Sequence, residues 1–195
     1  MTRNVCNLTG IPRLVLDHCA ELQKSFFGFI SLSKTSEKLI VNVFEFLNAN
    51  PEIDEVKHFN EELQSLCSPL VTVQNSLEVF KNKSTQLSGF MDNLINSSDV
   101  SIHFSGLPNT SDEVYFRTWS VKKIYDVFQK VSCELNEEYM LKKFIIENVI
   151  CKRESDQILF LSSWQHNPFI KVDTEECLQL LLLEVGLVQV LSTKK

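Results

Sequence analysis

One run of residues constrains this chain more than any other. Val56, Phe59, Leu63, Leu66, Leu70, Val73, Leu77, Phe80, Ser84, Leu87, Met91 and Leu94 follow alternating steps of three and four over more than five heptads, and all but Ser84 are apolar. Such spacing keeps one stripe of a helix facing a partner helix, the pattern of coiled-coil packing. A strand would need a period of two. The neighbouring e and g positions carry few charges, with Lys81, Lys83 and Glu62 among Asn60, Cys67, Pro69, Gln74, Ser76, Ser88 and Phe90. A self-sufficient zipper selects its partner through charges there, so the seam is expected to pack on its own chain. Pro69 lies inside the run; it forfeits a backbone hydrogen bond at a cost of about 3 kcal/mol, yet the phase continues across it. A kink is expected there, within a single helix over 55–96.

The rest of the chain reads as helix too. Val15, Cys19, Leu22, Phe26 and Phe29, then Ile40, Val43, Phe44 and Leu47, predict a helix over 13–48, open to a bend at Gly28 or in the polar patch Ser31 to Ser36. Residues 97–117 form the one long connection, in which Val100, Ile102 and Phe104 alternate with polar residues as a short extended stretch would. A further helix opens near Thr118 or Ser120 and runs through Ile124, Phe128, Val131, Leu135, Leu141, Ile145 and Val149. A short one, capped by Ser155 or Asp156, ends at Trp164 before Pro168. Asp173 with Glu176 resembles a capping box for a last helix that is apolar on nearly all sides from Leu178 to Val190. The expected fold is all-α: an elongated helical bundle with a long antiparallel coiled-coil-like hairpin over 1–96, a connecting loop over 97–117 and a C-terminal helical unit over 118–192. With 5 Gly and 5 Pro in 195 residues, the chain lacks the turn-formers of an all-β sandwich.

Composition narrows the function classes. Hydrophobic residues at 44% and charged residues at 23% are those of a globular protein. A net charge of −6 opposes direct nucleic-acid binding, which needs a surplus of cations to neutralise phosphates. No signal-like apolar run follows Met1 and no uncharged run reaches a bilayer span, so an intracellular, membrane-free protein is expected. Its cysteines, Cys6, Cys19, Cys67, Cys133, Cys151 and Cys177, form no CxxC pair and read as reduced, mostly buried thiols; the N-x-S/T sequons at Asn7, Asn82, Asn96 and Asn109 then read as chance. Neither a GxxxxGK[ST] nor a GxGxxG, HExxH, GxSxG or EF-hand pattern occurs. No catalytic residue, metal site or cofactor is therefore expected. Glu61-Glu62, Glu137-Glu138, Glu175-Glu176, Lys122-Lys123 and Lys142-Lys143 read as solvated helix faces. His18, His58, His103 and His166 are too far apart in sequence to suggest a joint site.

Two aromatic corners remain. Phe116-Arg117-Thr118-Trp119 precedes a helix and Trp164-Gln165-His166-Asn167-Pro168 ends one. A Trp at such a boundary fixes the entry angle of the chain by packing inward; alternatively it anchors a partner, since Trp concentrates binding energy. Leu180, Leu181, Leu182 and Leu183 span a full turn and point in four directions, so at least one should stay near the surface. On that argument residues 112–192 carry the expected docking surface, with Trp119, Trp164, His166, Pro168, Leu182 and Leu183 as candidate partner contacts.

The same residues carry a resemblance. Phe116-x-Thr118-Trp119, Tyr125-x-Val127, Leu141-Lys142, Leu161-Ser162-x-Trp164-x-His166-x-Pro168, Asp173 and Leu182-Leu183-Glu184-x-Gly186 resemble the cyclin-dependent kinase 2-interacting protein family. Upstream, Asn60-Glu61-Glu62-Leu63 and Leu66-Cys67 are similar to the start of that family's coiled-coil segment. Pro69 departs from a stretch the family usually keeps free of Pro, and Ser120 stands where the family can carry Pro. The resemblance implies a non-catalytic nuclear adaptor in DNA replication and checkpoint signalling, with cyclin-dependent and replication kinases as partners. It also implies a place in a AAA+ ATPase assembly that acts in chromatin and ribosome maturation. The residues themselves offer one Ser-Pro, at Ser68, with no basic residue shortly after it, and no Arg-x-Leu docking element. A structural coiled-coil subunit of a cytoskeletal or kinetochore-type complex is the alternative, and self-association through the seam would mark it.

Overall fold

The computed structural model describes residues 10–50, 61–105, 114, 116–150 and 153–187, with side chains described in the long helix up to residue 96. Six helices occur among them: α1 (Ile11–Thr35), α2 (Glu37–Ala49), α3 (Glu61–Ser105), α4 (Val121–Glu147), α5 (Glu154–His166) and α6 (Val172–Val185). The all-α expectation holds. An isolated antiparallel bridge between Val114 and Ser120 is the extended pairing among the described residues.

Most of the α3 seam is interior, with Leu66, Phe80 and Leu94 half-buried. Leu63, Leu70, Val73, Leu77, Ser84, Leu87 and Met91 are all buried within the single chain, and each apolar one contributes about 1.5–3 kcal/mol. Pro69 sits on the exposed side of α3, which continues through it. Val56 and Phe59 lie outside the described residues. α3 also runs to Ser105, through the alternation over 100–105 that a short extended stretch would equally show. Adding residues to an existing helix skips the costly nucleation step, so a short alternation does not end it.

The 13–48 helix is nearly continuous, with Ser36 between α1 and α2. The break falls in the expected polar patch. The Ser36 hydroxyl donates to the carbonyls of Leu32 (2.7 Å) and Ser33 (3.0 Å), the back-bonding that bends helices. Gly28 does not break α1. Its missing side chain makes room for the Phe80 ring, whose Cε1 would lie 2.6 Å from an added Cβ.

The chain divides into two compact units that are discontinuous in sequence. The first comprises Met1–Phe26, Lys83–Cys133 and Lys171–Lys195; the second comprises Phe27–Asn82 and Glu134–Ile170. A helix of 45 residues is about 68 Å long at 1.5 Å per residue, so its two ends serve different neighbours.

Helix ends settle the capping expectations. Ser120 caps α4: its Oγ accepts the Lys123 N–H at 3.3 Å and its carbonyl that of Ile124 at 3.1 Å. α5 starts one residue before Ser155, and the Arg153 carbonyl takes the N–H groups of Asp156 and Gln157. α6 likewise starts before Asp173, whose carboxylate instead pairs with Lys130 Nζ at 2.7 Å. In both helices the expected caps lie inside the first turn, where a carboxylate still favours the positive end of the helix dipole. Gly186 closes α6 at φ 81°, with Leu187 N–H on the Leu182 carbonyl and Gly186 N–H on that of Leu183. This is the Schellman arrangement, and glycine is there because φ is positive.

Candidate functional site

The first unit gathers two of the sequence motifs. Glu184 on α6 turns its carboxylate toward the segment just before α4. Its Oε1 accepts the backbone N–H groups of Arg117 (2.7 Å), Thr118 and Trp119 (2.9 Å), and its Oε2 accepts the Thr118 hydroxyl at 3.0 Å. Burial pushes this carboxyl's pKa up, but the Thr118 and Trp119 N–H groups, the Thr118 hydroxyl and the Arg117 N–H outweigh it and hold the pKa below the usual range. Phe116-x-Thr118-Trp119 and Leu182-Leu183-Glu184-x-Gly186 thus form one clamp. Trp119 is half-buried, with Lys123 Nζ 4.2 Å from its ring centroid in a cation–π contact.

The leucine run behaves as its geometry demands. Leu181 and Leu182 are buried, Leu183 is half-buried and Leu180 is 52% exposed. Leu182, a candidate contact, is therefore a core residue, and Leu180 takes the outward position.

In the second unit, Trp164 is interior as well. Its Nε1–H donates to the Ser33 carbonyl at 2.8 Å, and Lys142 Nζ lies 4.5 Å from its ring centroid. The inward-packing reading of this Trp is the one realised; burial of so large an apolar surface outweighs leaving it as an exposed anchor. Lys142 Nζ also donates to the Trp164 carbonyl at 3.0 Å and pairs with Glu138 Oε1 at 3.0 Å, and both side chains are 0% exposed. Glu138 Oε2 accepts the Phe169 N–H at 3.0 Å. The pair accordingly pins the turn after α5, and Ser33 Oγ–H reinforces it by donating to Oδ1 of Asn167, the residue at φ 44°. His166 and Pro168 stand exposed on this turn.

Glu138 and Lys142 correct the expectation of solvated faces. From Ile124, Phe128, Val131 and Leu135 the three-four steps lead to 138, 142, 145 and 149. Both charged residues occupy seam positions, with the apolar Leu141 beside Lys142 one residue out of phase. Burial lowers the pKa of Lys142, opposed by the charge of Glu138 and its hydrogen bond. The phase was the available signal. By contrast, Glu61, Glu62, Glu137, Glu175, Glu176 and Lys122 are exposed, as solvated faces require.

Other candidates are scattered. His18 packs edge-on against Phe90 at 4.2 Å, and burial, then Lys83, lowers its pKa. The side chains of His58 and His103 fall outside the described residues. Cys19 is buried, which pushes its thiol pKa up to about 12, whereas Cys133 is exposed; Cys6 and Cys151 also lie outside. Among the described residues no group of three or more His, Cys, Asp or Glu is placed to hold a metal, and no helix is long and apolar enough to cross a membrane.

The chain is similar to cyclin-dependent kinase 2-interacting proteins. It is 26% identical to the Homo sapiens protein over 129 residues, covering 66% of this chain and 59% of that one. With the Bos taurus protein it shares 26% over 141 residues, covering 71% and 65%, and with the Xenopus laevis protein 25% over 138 residues, covering 70% and 65%. The matches thus span about three-fifths to two-thirds of these relatives' length. No protein-family model matches the chain.

Proposed function

We propose that the chain is a non-catalytic adaptor that binds a cyclin-dependent kinase. The similarity to proteins named for that interaction supports the partner class. The observation that carries the adaptor reading is how the motif residues are spent. Glu184 holds a loop by four donors, and Glu138 with Lys142 pins a turn. Groups committed to fixing exposed corners do the work of a scaffold, because rigid presentation lowers the entropic cost of binding. His166 and Pro168 are exposed on one corner, Trp119 and Leu183 are half-buried at the other, and Trp164 and Leu182 support them from inside. On the resemblance alone, the proposal extends to a nuclear role in DNA replication, repair and checkpoint signalling, and to a AAA+ ATPase assembly in ribosome maturation.

Purified full-length chain on a support, offered a purified cyclin-dependent kinase 2–cyclin complex, tests the partner. Retention above that on an unrelated helical protein is expected. Retention no better than that control contradicts the reading.

A further inference from the structure

We infer that the first unit opens by itself under native conditions while the second stays folded, a conformational device built into its core by unpaired hydroxyls. The inference goes beyond the adaptor reading and holds whichever partner the protein takes. Among the described residues three buried hydroxyls have no hydrogen-bond partner, Ser84 and Ser88 on α3 and Thr174 on α6, and all three belong to the first unit. Ser84 and Thr174 are 0% exposed and Ser88 is 3% exposed. They also gather at one level of that unit. Ser132 Oγ–H donates to Thr85 Oγ1 (3.3 Å) and the Tyr125 hydroxyl donates to Asp92 Oδ1 (2.9 Å), which sets Ser88 beside the stretch of α4 between Tyr125 and Ser132. Lys130 pairs with Asp173, which sets Thr174 beside the same stretch. Ser84 lies about one turn of α3 before Ser88.

The second unit treats its buried polar side chains differently. Ser33 donates to Asn167, Ser36 donates to the Leu32 and Ser33 carbonyls, Gln157 Oε1 accepts from Asn48 Nδ2 at 3.1 Å, and Lys142 faces Glu138. A buried hydroxyl without a partner has lost its hydrogen bonds to water and regains them when the helices part. That penalty falls on the closed form of the first unit, so the balance between closed and open shifts there and local opening precedes global unfolding. Opening bares the inner face of α1, Val15, Cys19, Leu22 and Phe26, which the closed form buries. Cys19 therefore reports it. Burial pushes its thiol up to about 12, and the thiolate is the nucleophile, so the closed form is inert toward a thiol reagent.

Two opening constants measured on the full chain decide it. Labelling by N-ethylmaleimide, resolved by peptide mass spectrometry, gives the one at Cys19, with the exposed Cys133 of the same unit as the reference for an uncovered thiol. Amide hydrogen exchange over the buried face of α2, Ile40 to Leu47, gives the one for the second unit. The constant at Cys19 should be larger by at least about tenfold, the weight of one unpaired hydroxyl. Thr174→Val keeps the side-chain shape, and Ser84→Ala with Ser88→Ala removes two hydroxyls; each variant should lower the Cys19 constant by about tenfold or more and leave that of α2 unchanged. Valine brings no gain in helix propensity over threonine, so Thr174→Val separates the lost hydroxyl from a better helix former. If circular dichroism shows Thr174→Val unfolded, the serine pair serves. Equal constants at Cys19 and in α2, or a larger one in α2, overturn the inference. Variants that lower both constants together do so as well, because the units then open as one. A Cys19 constant that the variants leave unchanged or raise also overturns it, the result expected if ordered water already satisfies the hydroxyls.

Discussion

Glu184 and Lys142 are both largely buried charges that secure a loop, yet the fold treats them in opposite ways. Four donors converge on Glu184, and they outweigh its burial, so folding favours the ionised carboxylate. Lys142 has one counter-ion, one carbonyl and one aromatic face, and burial still dominates, so folding disfavours the ammonium. The difference lies in how many polar partners each ion collects for the water it gives up. One charge supports its unit directly; the other is tolerated because it holds a turn.

The largest expected effect follows from Lys142→Ala. It leaves Glu138 buried without its counter-ion and the Trp164 carbonyl without its donor, and should cost about 3–5 kcal/mol in chemical denaturation. A loss under about 1 kcal/mol would mean that water already reaches the pair. Replacing both members, Glu138→Leu with Lys142→Met, should recover most of that loss, because it removes the desolvation of two ions together. Recovery should stay incomplete, since the Phe169 N–H and the Trp164 carbonyl lose their partners. A double variant no better than the single one would show that the turn contacts, not the charges, dominate.

Glu184→Ala comes next, at about 1.5–3 kcal/mol for lost charge-assisted bonds. It should fall below Lys142→Ala because the released loop donors can reach water. The opposite order would break the comparison. Smallest is the pH dependence. The folded pKa of Glu184 lies below its unfolded value of about 4.3, so its contribution is complete above that pH and fades as pH falls through the folded value. For Lys142 the folded pKa is the lower one, so stability should rise with pH between it and the unfolded value of about 10.4. Urea midpoints of the wild type against Glu184→Gln in acid, and against Lys142→Met in base, isolate each slope.

Much of the helical architecture was legible, because burial imposes a three-four period that survives in the sequence. The α3 seam, the interior faces of α1 and α2, and the outward position of one leucine in α6 all follow from it. The charged clamps were not read, for two different reasons. Glu138 and Lys142 were in phase with the α4 seam, but a charge on a seam was passed over for the nearest apolar residue, Leu141. Glu184 meets a loop 65 to 67 residues away in sequence, and no local spacing encodes such a contact. Trp164 shows the same limit: its boundary position was plain, but its inward direction depends on Ser33 and Lys142.

Site-resolved NMR titration of Glu184 and Lys142 in the folded full-length protein tests the central contrast most directly, following the Glu184 carboxyl carbon downward in pH and the Lys142 amine nitrogen upward. The account predicts a Glu184 pKa below about 4.3 and a Lys142 pKa below about 10.4, the ordinary values of the two side chains. A Glu184 value at or above its ordinary one, or a Lys142 value above its own, would contradict it.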